Sequence, residues 1–151
     1  MDATTNATRN AAMDAAVLDT NVWLDWLVFD DPGVQPLKAH ARATRLCLPV
    51  TARIRAELID VLGRPLIRAR GRDRGDLVTL FDGMVKLCDD PPACGLTCRD
   101  QNDQMFIDLA VAQRTGWLIS KDKDLLSLAA KARRNYGLTI SRPPSATQLG
   151  G

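Results

Sequence analysis

The sequence predicts an α/β fold: a three-layer α/β/α sandwich around a central parallel five-stranded sheet. Five short apolar runs recur along the chain, separated by stretches long enough for a helix. The first run, Ala15-Ala16-Val17-Leu18, is apolar without alternation, as befits a strand covered on both faces. It stops abruptly at Asp19-Thr20-Asn21, which is how a buried strand hands over to a polar site at its carboxyl end. Strands alternating with helices require crossovers, and right-handed crossovers give a parallel sheet with helices on both sides.

A chain of 151 residues suits one domain with a real hydrophobic core. Its 46% hydrophobic and 25% charged residues exclude the disordered and membrane classes. No apolar run approaches the about 20 residues that a membrane helix needs. The start also lacks the basic and apolar regions of a signal peptide, so the expectation is a cytoplasmic protein with no membrane contact. A net charge of +2 is only a weak pointer to a polyanionic partner. Of the four cysteines, Cys94 and Cys98 invite a zinc reading. His40 is the lone histidine and no second close pair exists, so reduced, packing thiols are the better reading.

Residues 1–14 lack apolar periodicity and read as a flexible N-terminal tail. Met13-Asp14-Ala15 repeats the opening Met1-Asp2-Ala3, which marks Met13 as an alternative start. The domain spans 15–141. Its first strand covers 15–18, a helix follows near 22–29, and Asp30-Asp31-Pro32-Gly33 breaks it before a second helix over 34–43. Leu46 to Val50 is the second strand, and Thr51 caps the next helix. There Ile54, Leu58 and Val61 form an apolar stripe, with Glu57 on the same face. Helical pattern resumes through Ile67 to Gly71 and again over 76–81, and Met84 to Cys88 forms the third strand. A helix over 103–114 buries Phe106, Ile107 and Ala110, and Gly116 ends it. Trp117 to Ser120 is the fourth strand, a helix runs from 125 to 134, and Leu138 to Ile140 is the fifth. Residues 142–151 read as a flexible C-terminal tail.

Four acids converge on the carboxyl end of this sheet: Asp19 and Asp122 behind strands, Glu57 and Asp103 from helices. Singly, Asp103 is a helix cap, Asp122 a turn residue, and Glu57 a partner for Arg53 or Arg64. Together they would repel one another unless protonated or neutralised, and an all-oxygen set favours Mg2+ or Mn2+ over zinc. Such ions serve phosphodiester hydrolysis, which needs no protein nucleophile.

These motifs resemble the PIN-domain family, in particular the VapC-like ribonuclease toxins of bacterial toxin-antitoxin systems. The resemblance rests on Val17-Leu18-Asp19-Thr20-Asn21-Val22, Glu57, Arg99-Asp100-Gln101-Asn102-Asp103-Gln104-Met105-Phe106 and Ile119-Ser120-Lys121-Asp122-Lys123-Asp124-Leu125-Leu126, and covers about residues 15–141. It implies a Mg2+- or Mn2+-dependent endoribonuclease with a cognate antitoxin and a homodimeric assembly. Asp19, Glu57, Asp103 and Asp122 match the acidic ligands, while Thr20, Asn21 and Ser120 match supporting polar positions. Asp100, Asp108 and Asp124 are alternates, Asp100 being the rival of Asp103 for the third place.

For RNA, Arg53, Arg55, Arg99 and Lys121 are the cations expected nearest the crevice, and Arg64, Arg68, Arg70, Arg72 and Arg74 form the densest basic run. Trp23 and Trp26 are read as base-stacking or as packing residues. Two other readings stand beside the nuclease. One is a phosphotransfer enzyme with Asp19 as nucleophile, against which Asn21 counts where a second Asp is usual. The other is a non-catalytic PIN-like RNA- or protein-binding module, against which all four acids count.

Overall fold

The first strand, β1 (Val17–Leu18), is the edge of its own ladder, and a bridge at Ala15 just ahead of it makes the link to a second one. In the computed structural model, which describes residues 13–150, β1 is followed by α1 (Thr20–Leu24). That helix continues as a π-helical turn, Asp25–Phe29, which the sequence did not announce. Then come α2 (Gln35–Thr44), β2 (Pro49–Thr51), α3 (Ala52–Leu62), the short α4 (Pro65–Arg68), α5 (Arg74–Asp82) and β3 (Lys86–Cys88). The second half holds α6 (Gln104–Gln113), β4 (Trp117–Ile119), α7 (Lys123–Leu126), α8 (Ala129–Tyr136) and β5 (Thr139–Ser141).

All pairings are parallel, but the five strands form two ladders and not one continuous sheet: β1-β4-β5 and β2-β3. A single parallel bridge between Ala15 and Cys47 joins them. The cause is Pro49. Cys47 faces β1, donating to Asp14 O and accepting from Ala16 N–H at 3.0 Å each, whereas Leu48 O accepts from Lys86 N–H on the other side. Alternation then turns residue 49 toward β1, and proline has no N–H with which to make the next rung.

Successive residues of β1 point to opposite faces, and Val17 and Leu18 are both buried, as are Leu118 and Ile119 on β4. Helix α6 packs against β1, β2 and β4, burying Phe106, Ile107 and Ala110 as the spacing required. It ends at Arg114, left-handed at φ 51°, two residues before the expected stop at Gly116. Trp23 and Trp26 are packing residues: both are buried, and Trp23 meets Phe81 edge-on with centroids 4.7 Å apart.

The expected N-terminal tail lies outside the described residues for positions 1–12, while Met13 and Asp14 belong to the fold. Met13 is buried, and its carbonyl lies 2.7 Å from His40 Nε2. At the other end Pro144 is buried and Leu149 packs on the core. Among the described residues no helix is long and apolar enough to cross a membrane.

Candidate active site

With β2 on one side of β1 and β4 on the other, the chain reverses its winding between β1 and β4. That switch point leaves a crevice beyond the strands' carboxyl ends. Asp19 stands in it. Its N–H continues the ladder to Ile119 O at 3.1 Å, and its Oδ1 accepts from Val22 N–H at 2.9 Å, capping α1. The other oxygen, Oδ2, accepts from Ser120 Oγ–H. Asp19 is only 3% exposed, and burial pushes its carboxyl above the usual range. The bonds from Ser120 and Val22 oppose that rise, and the charge of Asp122 adds to it.

Ser120 follows β4 and is fully buried. Its Oγ also accepts from Asp122 N–H at 2.9 Å, so one hydroxyl ties two carboxylate positions together. Asp122 in turn accepts from Asp124 N–H at 3.0 Å and Leu125 N–H at 3.2 Å through Oδ2, capping α7. It is thus both a turn residue and a wall of the crevice.

Thr51 starts α3 by accepting from Ile54 N–H at 3.1 Å, and Ile54, Leu58 and Val61 fix the buried face of that helix. Glu57 is half-buried beside them, and its Oε1 accepts from Thr20 Oγ–H at 2.9 Å. Among the described residues it has no ion pair with Arg53 or Arg64; Arg64 reaches Asp60 instead. The fourth corner is a 3-10 turn, Gln101–Asp103, capped by Asp100, whose Oδ1 accepts from Asn102 N–H at 2.9 Å. Asp103 carries the strongest electrostatic signature: its carboxyl is pushed up to about 7 by burial first, then by a hydrogen bond with Asp122 and the charges of Asp122, Asp100 and Asp19.

Asp19, Thr20, Asn21, Glu57, Asp100, Asp103 and Asp122 all line one cavity of about 850 Å³. Asp124 and Asp108 do not; Asp108 binds Cys94 N–H at 3.0 Å and Gln104 Nε2 at 2.9 Å. The cations expected nearest the crevice are also elsewhere. Arg55 makes a two-point bond to Asp82, 2.8 Å on each arm, and Lys121 pairs with the buried Asp25. Arg53 and Arg99 are exposed and do not line the cavity. Arg64, the first of the basic run that the sequence offered for RNA, does line it, as do Asn102 and Phe106, whose place at the site the sequence did not indicate. Arg64 lies beyond the end of α3, in extended backbone just ahead of α4, so the helical spacing from Glu57 does not reach it.

The donor set is carboxylate with supporting hydroxyl and amide, which suits a hard divalent cation. Among the described residues no three Asp, Glu, His or Cys side chains are gathered into a ready-made cage. Burial, and after it the neighbouring carboxylates, disfavour the charged form of Asp103, and a bound cation would favour it.

A family model described as "PIN domain" matches residues 15–124. Among solved structures, the chain is similar to VapBC2 from Rickettsia felis, crystallised bound to a DNA fragment from its promoter. The TM-score is 0.56 at 15% identity, over 85% of this chain and 98% of the other. No curated protein matches the sequence significantly.

Proposed function

This chain belongs to the PIN-domain family, and from that premise we propose that it is a Mg2+- or Mn2+-dependent endoribonuclease, the toxin of a toxin-antitoxin pair. The observation that carries the reading is the convergence of Asp19, Glu57, Asp103 and Asp122 on one cavity, with the Asp103 carboxyl driven up to about 7. Asp19, Asp103, Asp122 and Glu57 would hold the ion, and Thr20, Asn21 and Ser120 would orient them. Asp100 lines the same wall and remains the alternative third ligand. A bound divalent ion supplies charge for a scissile phosphate and lowers the pKa of water. The chain's own part is to fix the carboxylates: Val22 N–H and Ser120 Oγ–H hold both oxygens of Asp19, and Thr20 holds Glu57.

The phosphotransfer alternative, with Asp19 as nucleophile, is disfavoured by Asn21, which stands where a second Asp is usual. A protein antitoxin, a homodimer and a cytoplasmic setting belong to the same reading. The VapBC2 neighbour, itself a complex, supports the first of these. The deciding experiment incubates the purified chain with single-stranded and structured RNA, with Mg2+, with Mn2+, and with chelator. Cleavage in both metals and none in chelator is expected. Phosphorylation of Asp19 by a phosphate donor, with no RNA cleaved, would replace this reading by the alternative.

A further inference from the structure

A cavity walled by carboxylates repels the phosphates it is meant to process, so something beside it must attract them. Arg64 is the one cation lining the acidic cavity among the described residues. Its pairing with Asp60 spans 3.3 Å, and the two side chains are 62% and 73% exposed, so the pair is weak and easily exchanged for a phosphate. Leu66, 86% exposed, lines the cavity next to it on α4. About one helical turn further on is Arg68, which lines a second depression of about 500 Å³ with Arg72 and Arg74. Arg74 folds back over Gly63: a Cβ there would stand 3.0 Å from its Nη1, and the absence of one lets this guanidinium lie beside the residue preceding Arg64. Arg70 leaves the group, its guanidinium over the Phe29 ring at 4.8 Å, and Arg72 also lines a neighbouring depression that Asp30 shares.

We propose that the Gly63–Arg74 segment is the arm that holds single-stranded RNA to the acidic cavity. Arg64 grips the phosphate beside the carboxylates, Leu66 gives an apolar contact to the neighbouring base or ribose, and Arg68, Arg72 and Arg74 hold the strand as it leaves. The inference rests on the ribonuclease reading and adds to it the residues that position the substrate.

The test measures anisotropy of a labelled single-stranded RNA on full-length Asp19→Asn protein with Mg2+ present, over a series of salt concentrations. Arg64→Gln is expected to weaken binding about tenfold and to flatten the salt dependence by about 0.7 in the logarithmic slope, one phosphate contact. The triple variant Arg68→Gln, Arg72→Gln, Arg74→Gln is expected to flatten it by about 2. Leu66→Ser should weaken binding without changing the slope, and Arg42→Gln on α2 should change neither. All these side chains are exposed, so circular dichroism should match the parent. Parental affinity and slope in Arg64→Gln overturn the arm. If the unmutated chain cleaves RNA while Arg64→Gln keeps its KM, only the arm falls; if the unmutated chain neither binds nor cleaves RNA, the ribonuclease reading falls with it.

Discussion

The hydroxyl of Ser120 donates to Oδ2 of Asp19 across 101 positions of sequence and, through the same oxygen, accepts the amide of Asp122. The ends of β1 and β4 are thereby locked at the crevice. Ser120→Ala would leave a buried carboxylate oxygen without its donor, a loss of about 1–3 kcal/mol. It would also push the Asp19 carboxyl further up, since the Ser120 bond is what chiefly restrains it. The expected result is a lower midpoint in urea and, if Asp19 holds the proposed metal ion, cleavage reduced about 10–100-fold. Parental stability in the alanine variant would mean that this bond does not lock the two strands.

Asp19→Asn separates charge from shape. The Asn side-chain oxygen can still accept from Val22 N–H and cap α1, so the fold should persist, with Tm moving no more than about 4 °C for roughly 1 kcal/mol. Because burial already disfavours the ionised form of Asp19, removing the charge relieves the metal-free protein. Cleavage, by contrast, should be undetectable. A variant that cuts RNA at the parental rate would remove Asp19 from the chemistry.

What could be read from the sequence divides along a physical line. Local rules located β1, the Thr51 cap, the buried stripe of α3 and the four acids, because strand ends and helix faces depend on neighbours a few residues away. Pairings over long distances escaped. Arg55 finds Asp82 across 27 positions, and Lys121 finds Asp25, so two cations expected at the crevice are engaged elsewhere. The split of the sheet was written in Pro49, but it means something only once the side of the strand facing β1 is known. Asp100 and Asp103 could not be separated by spacing. Both line the cavity, Asp100 as the cap of the 3-10 turn and Asp103 as its last residue.

Thr20→Val tests the tether on Glu57. The methyl group keeps the volume of the side chain but removes the bond from Oγ1 to Glu57 Oε1, freeing a half-buried carboxylate to turn. The Mn2+ concentration giving half-maximal cleavage should rise about 10–100-fold, with a smaller change in rate at saturating metal. An unchanged metal requirement would show that Thr20 does not orient Glu57.

The raised carboxyl of Asp103 fixes the sign of a pH effect. Its ordinary value, 3.8, describes the unfolded chain, and in the fold it is about 7. The folded state therefore holds the proton more tightly, and that stabilisation is full below pH 3.8 and is lost as pH rises through about 7. Asp19 shifts in the same direction for the same primary reason, burial. In chelator, Tm should fall between pH 5 and pH 8 by more than the rest of the chain accounts for. Asp103→Asn should flatten that fall. Saturating Mg2+ should flatten it as well, because a cation that binds only the ionised carboxylates stabilises the fold most where they are ionised. A metal-free Tm rising over this range, or a fall unaltered by Asp103→Asn, would show that Asp103 is not the group whose proton the fold holds.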